Sequence, residues 1–217
     1  MPVRAILFDF DGTLADSFGA ITSSANHVRA SCGLPALLEA DVRGYVGYGL
    51  EHLMAELVPA LPVDEAITRY RAHHEAIMFQ QTKLFPQVRE TLEALHAAGI
   101  RMGVCSNKSV LFTRQLVEQL GLGELLPVVL GPEDVGVPKP DPAMLFEGSK
   151  RLKVSREETI YVGDMSIDVL AGNAAGMAVY LVNVGLAGRD DPTLAGPSRV
   201  LKSFTELLEI CFSESEG

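Results

Sequence analysis

Asp9-Phe10-Asp11-Gly12-Thr13 sets two carboxylates one residue apart at the end of an apolar run, Ala5-Ile6-Leu7-Phe8. Residues i and i+2 of a strand share a face, so Asp9 and Asp11 could enter one site if the strand continued. The Gly-Thr pair ends the strand and puts Asp11 in a loop beside Asp9. Two acids at the mouth of a buried strand are costly unless a cation or a proton balances them. That balance points to a divalent metal, with one carboxylate free to attack and the other to move protons.

Three further segments carry compatible chemistry. Ser106-Asn107 follows an apolar stretch ending at Cys105; Lys139 stands in Gly136-Val137-Pro138-Lys139-Pro140-Asp141-Pro142; and Gly163-Asp164-Met165-Ser166-Ile167-Asp168 follows a stretch ending at Val162. Asp164 supplies a hard oxygen of the kind Mg²⁺ prefers. Ser106 offers a hydroxyl at a helix start, where backbone N–H groups also face an anion. Lys139 is a compact cation for phosphate charge and for offsetting the acids. Taken singly, each has an ordinary reading: a helix cap, a solvated loop lysine, a strand-ending turn. Taken in order, at successive predicted strand ends, they fit charge stabilisation around a phosphoryl group held in line.

The elements that must position them alternate. Helical spacing of apolar residues covers residues 17–32, 49–58 and 63–81, broken by Gly33-Leu34-Pro35 and by Val58-Pro59-Ala60-Leu61-Pro62, and no strand is expected between Leu14 and Phe85. From Phe85 the pattern becomes helix 86–98, strand Ile100–Cys105, helix 109–120, strand Val128–Leu130, helix 142–152, strand Thr159–Val162, helix 166–175 and strand Val179–Val184. A short strand at Arg199–Leu201 and a helix at 204–212 follow, and the polar tail Ser213–Gly217 is expected to fray. Strands alternating with helices imply parallel βαβ units with right-handed crossovers. The fold class is therefore α/β, a Rossmann-like doubly wound parallel sheet with an inserted α-helical cap. The strand ends are the edge at which such sheets bind ligands.

The chain has 217 residues, 47% hydrophobic, with a mean hydropathy of +0.20 and a formal net charge of −10 at pH 7. This composition suits one large domain or a domain with an insertion. The acidic balance argues against nucleic acid or an anionic membrane as partner, and leaves room for a small anionic substrate met by a local metal and lysine. Cys32, Cys105 and Cys211 lack metal-ligand spacing and read as reduced thiols. The N-terminal run breaks at Asp9 and reads as neither a signal peptide nor a membrane span, so the expected location is cytoplasmic.

These motifs resemble those of the haloacid dehalogenase superfamily of hydrolases across essentially the whole chain. Asp9-Phe10-Asp11-Gly12-Thr13-Leu14-Ala15-Asp16-Ser17 is similar to the family's first motif and cap hinge, Ser106-Asn107 to its second, Lys139-Pro140 to its third, and Gly163-Asp164 through Asp168 to its fourth. The resemblance implies a catalytic core of residues 1–15 and 83–217 and a helical cap of residues 16–82. It implies Mg²⁺ held by the Asp9 side chain, the Asp11 carbonyl and the Asp164 side chain. Asp168 would then stand behind the ligands, orienting a water on the metal or Lys139; its ordinary alternative is a first-turn helix acid. Asp9 would form an aspartyl-phosphate, Asp11 would act as acid and then base, and Ser106, Asn107 and Lys139 would hold the phosphoryl group.

Within the superfamily the opening and the cap segment Tyr45-Val46-Gly47-Tyr48-Gly49-Leu50 resemble phosphoglycolate phosphatases. Gly47 and Gly49 would let backbone approach a small anion; the alternative is a turn between cap helices. The expected substrate is a small phosphorylated metabolite, 2-phosphoglycolate first, acted on by a monomer or homodimer. Rival readings are a sugar phosphomutase, a pyrophosphatase or nucleotidase, and a catalytically silent binding protein on the same fold. Related mutases tend to carry an arginine where Leu50 stands, and a dehalogenase has no need of Asp11. His27, His52, His73, His74 and His96 lack ligand geometry, and the first four, in predicted cap helices, are expected at the surface or core edge. Arg43 could reach a substrate carboxylate from the cap, though a solvated arginine is the expectation; Phe10 is expected to pack beneath the site and Cys105 to be inert core.

Overall fold

In the computed structural model, which describes residues 2–212, β1 (Ala5–Phe8) runs through the middle of a six-stranded sheet. All of β1 is buried: Ile6 and Phe8 face one helical layer, Ala5 and Leu7 the other. A strand covered on both faces must be apolar throughout, which is why its pattern is a continuous run rather than an alternation. β1 pairs in parallel with β4 (Arg101–Cys105) and with β6 (Thr159–Gly163). β5 (Val128–Leu130) flanks β4, while β7 (Ala178–Leu181) and β8 (Arg199–Val200) extend the other side. The order is β5-β4-β1-β6-β7-β8, with every pair parallel. On the Ile6 and Phe8 face lie α5 (Val88–Ala97), α6 (Val110–Gln119) and α10 (Glu206–Phe212); on the other lie α8 (Ala143–Leu152) and α9 (Ser166–Ala175). This is the doubly wound α/β architecture expected.

After β1 the chain builds a separate helical layer from α1 (Phe18–Ser31), α2 (Glu39–Arg43), α3 (Leu50–Leu57) and α4 (Val63–Gln81). Phe18, Ile21, Met54, Leu57 and Tyr70 form its core, which also takes in Met165 and Ile167 from just beyond the carboxyl end of β6. The helical cap thus packs over the carboxyl edge of the sheet.

Some local expectations need correction. β2 (Ala15–Asp16) and β3 (Lys83–Leu84) form an antiparallel ribbon at the two ends of the helical segment, where no strand was expected. Two-residue strands are too short to show any periodicity. The short α2 and α7 (Pro132–Val135) escape the pattern for the same reason. β7 ends at Leu181 rather than Val184, because Asn183 (φ 50°) and Gly185 (φ 89°) turn the chain away. The tail from Ser213 lies outside the described residues.

Candidate active site

The strand order reverses at β1, and the carboxyl ends of β1, β4 and β6 open together there, the crevice in which doubly wound sheets place their ligands. Asp9 leaves β1 directly, its backbone N–H donating to the Val162 carbonyl (2.8 Å). The turn that follows passes hard against Asp164. Gly12 adopts φ +86°, and a Cβ there would lie 2.3 Å from Asp164 Oδ2, so only glycine fits. Thr13 Oγ1 donates to Asp164 Oδ1 (2.8 Å). Asp164 Oδ2 is buried with no hydrogen-bond partner among the described residues.

Lys139 is 3% exposed, not a solvated loop lysine. Its ammonium donates to Asp9 Oδ1 (2.8 Å), Asp168 Oδ1 (2.6 Å) and the Tyr161 hydroxyl (2.7 Å). The Tyr161 hydroxyl donates onward to the Cys105 carbonyl (2.8 Å). Asp168 uses its other oxygen to accept the N–H groups of Asp164 (3.2 Å) and Met165 (3.0 Å) at the start of α9. Lys139 does not directly follow β5, since α7 intervenes; Asn107 holds it in place instead. Asn107 Oδ1 accepts the Lys139 N–H (2.8 Å), while Nδ2 donates to the carbonyls of Lys139 (3.0 Å) and Gly47 (3.1 Å). The Asn107 amide, expected on substrate, is thus committed to backbone.

Oxygens of Asp9, Asp164 and Asp168 lie within 4.8 Å of one another, and Lys139 is the ammonium bonded among them. Burial raises the Asp9 carboxyl to about 6, with Lys139 opposing and Asp168 reinforcing the rise. Asp164 is pushed well above the usual carboxylate range, first by burial and then by Asp168 and Asp9. Burial opposes the charge on Lys139, but Asp168 and Asp9 outweigh it and raise the ammonium above its ordinary value. Excess buried negative charge, hard oxygen donors and an unpartnered Asp164 oxygen fit a divalent cation such as Mg²⁺.

Ser106 is buried beside this cluster; its hydroxyl helps hold the Asp9 carboxyl down and accepts the Lys108 N–H (3.4 Å). Asp11 accepts from the Ser17 hydroxyl (2.5 Å) on one oxygen and pairs with the Lys108 ammonium (3.2 Å) on the other. A half-open chamber above Asp9 and Asp11 lies beneath the helical layer and is bordered by Gly47, Gly49, Tyr70, His74 and Phe112. At Gly47 (φ +99°) a Cβ would lie 2.2 Å from Met165 Sδ. The close approach this glycine makes is to the sheet domain's Met165, while its backbone also borders the chamber.

The sequence does not single out Lys108, Tyr70, Phe112 or Tyr161, and it offers His74 only as a histidine without ligand geometry. Lys108 adjoins Ser106-Asn107, and Tyr70 and His74 are four apart on α4 and so share a face; those spacings were the available signals. His74, expected at the surface or core edge, is fully buried, its ring against Tyr70 (5.0 Å) and Phe112 (5.3 Å). Burial, then Lys108, pushes it down to about 2, so it is neutral. Arg43 is half-buried, bound to Glu39 (2.6 Å) and stacked over Phe18 (4.2 Å), away from the chamber. Cys105 is buried, and burial pushes its thiol up, consistent with inert core.

A parallel sheet, a helical cap inserted after its first strand, and acids, serine and lysine gathered at the sheet's carboxyl edge define a phosphatase of the haloacid dehalogenase type. The model of the haloacid dehalogenase-like hydrolases matches residues 6–182, and the chain belongs to that family. Over 213 residues it is 32% identical to the plasmid phosphoglycolate phosphatase of Cupriavidus necator, covering 95% of this chain and 92% of the relative. It is 32% identical over 218 residues to the phosphoglycolate phosphatase of Vibrio parahaemolyticus, covering 96% of each. Among solved structures, a predicted phosphoglycolate phosphatase from Haemophilus somnus matches with a TM-score of 0.87 at 25% identity, covering 96% of this chain and 97% of that one.

Proposed function

We propose that this phosphatase is a Mg²⁺-dependent phosphomonoester hydrolase that works through an aspartyl-phosphate on Asp9, with 2-phosphoglycolate as its substrate. The observation that carries this reading is Asp9 itself, a buried carboxylate held by Lys139 next to the unpartnered oxygen of Asp164, at the floor of a chamber under the helical layer. The side chains of Asp9 and Asp164, with the Asp11 carbonyl, would hold Mg²⁺. Bound there, the ion neutralises charge on the phosphoryl oxygens and the attacking carboxylate.

Asp9 attacks phosphorus through a carboxylate oxygen, and the ester oxygen leaves with a proton from Asp11. Asp11 then takes a proton from water, which attacks the phosphoryl group, releases phosphate and restores the Asp9 carboxylate. Lys139 and the Ser106 hydroxyl stabilise the transferring group. Asn107 keeps Lys139 on station, and Asp168 fixes the ammonium's direction. Residues 16–82 act as a cap on the β2–β3 ribbon, excluding bulk water, with residues 1–15 and 83–217 as the catalytic core. Leu50 borders the chamber where a sugar phosphomutase would need a basic grip, which favours hydrolysis.

The relatives' printed names support the substrate assignment. Three free cysteines, and the lack of any helix among the described residues long and apolar enough to cross a membrane, are compatible with a cytoplasmic protein acting on a small metabolite as monomer or homodimer. The test is phosphate release from 2-phosphoglycolate, sugar phosphates, nucleotides and pyrophosphate, with and without Mg²⁺. The expected outcome is Mg²⁺-dependent release that prefers 2-phosphoglycolate and vanishes in Asp9→Asn. Preference for another ester would overturn the substrate, and release that survives in Asp9→Asn would overturn the mechanism.

A further inference from the structure

The chamber over Asp9 and Asp11 measures about 50 Å³ and is walled from the cap side by Ile21, Val46 and Leu53. That is room for roughly four waters, so the part of a substrate that projects into it is a short one. These aliphatic side chains offer nothing to a charged group, and although Tyr45, Tyr70 and Ser109 add hydroxyl-bearing side chains to the lining, a carboxylate buried here without a cation is costly. Yet one cation faces in. Among the described residues bordering the chamber, Lys108 is the single lysine or arginine. Arg43 is turned onto Glu39, and the Lys139 ammonium already serves three acceptors. His74 borders the chamber as a neutral ring.

The Lys108 side chain is 7% exposed, and its ammonium has one partner among the described residues, Asp11 Oδ2. An ammonium carries three N–H donors, so two remain unused. Its burial makes each charge contact stronger than it would be in water. The contact of its backbone N–H with the Ser106 hydroxyl ties it to the loop that meets the phosphoryl group.

We propose that Lys108 selects the substrate, its ammonium receiving the carboxylate of a short acidic leaving group while Asp11 serves the ester oxygen. The inference rests on the phosphomonoesterase reading of the Asp9 site and narrows the substrate to phosphate esters of small hydroxy acids. Neutral alcohol phosphates, sugar phosphates among them, would lack this contact.

Binding can be separated from turnover in the Asp9→Asn protein, with calorimetric Kd values for 2-phosphoglycolate and ethyl phosphate. Adding Lys108→Met should weaken 2-phosphoglycolate by roughly 10- to 100-fold more than ethyl phosphate, the range for a hydrogen bond between charged groups. Adding Lys108→Arg, which keeps the charge, should retain most of the preference, and melting curves of the variants report whether they fold. In the active protein the same split should appear in kcat/KM. Equal losses for the two esters would overturn the proposal, by showing that Lys108 serves the phosphoryl group or Asp11 alone. So would a parent protein that binds the two esters equally. Absence of hydrolysis for every ester would sink the phosphatase reading, while the Kd comparison would still decide the role of Lys108.

Discussion

Without metal, the wild-type fold should weaken as pH rises, and Asp9 is one of the groups responsible. Burial lifts its carboxyl from 3.8 to about 6, against the pull of Lys139 and with the push of Asp168. A folded value above the unfolded one means that the folded state binds the proton more strongly across that window. The contribution to stability is therefore fully present below about pH 4 and is lost as pH rises through about 6. A rise from 3.8 to about 6 corresponds to about 3 kcal/mol. Asp164, raised well above its ordinary value, adds in the same direction and extends the window upward. Mg²⁺ reverses the trend, because it binds the ionised carboxylates, and should stabilise more at neutral than at acid pH. The assay is urea unfolding in chelator between about pH 4 and pH 7, for wild type and Asp9→Asn. The stability difference between the two should move against wild type by about 3 kcal/mol over that range, and saturating Mg²⁺ should remove the movement. A difference that stays flat, or moves in favour of wild type, would refute the picture of a buried acid cluster short of positive charge.

Thr13→Val keeps the shape of the turn but removes the hydroxyl that orients Asp164 (2.8 Å). Mg²⁺ affinity measured by calorimetry should fall by roughly 10- to 100-fold, as for other partners of metal ligands. Tyr161→Phe leaves the Cys105 carbonyl and one Lys139 N–H without their buried partner. It should lower unfolding free energy by about 1–3 kcal/mol, seen as a reduced urea midpoint at unchanged slope. A midpoint shift near zero would mean that another group takes over those contacts.

The first strand and its acids were legible because an apolar run ending in two carboxylates is an unusual local conflict, and burial on both faces of β1 is what produces it. The order of the motifs along the chain carried the rest of the core site. Lys139 was legible in kind but not in environment. Nothing between its flanking prolines says that Asn107, thirty-two positions earlier, fixes its backbone deep in the sheet edge. Tyr161 sits within an apolar strand and reads as core; its hydroxyl matters because a buried phenol needs a partner, and that partner comes from the other strands. Tyr70 and His74 lie on a helix whose remaining surface is largely charged, so only the tertiary approach of α6 shows which face looks into the chamber. Gly47 shows a further limit. A glycine reveals that backbone must come close to something, but not to what, and here one such neighbour is Met165.

The central claim, a covalent phosphoryl group on Asp9, is tested most directly with Asp11→Asn, Mg²⁺ and an aryl phosphate. A phenolate departs without needing a proton, so the first step can proceed while the second, which needs Asp11 as base, stalls. The expected result is a burst of phenolate matching the enzyme concentration, with the mass of one phosphoryl group on the peptide that contains Asp9 after acid quenching. Steady release without a burst, together with no phosphorylated Asp9 peptide, would contradict the account.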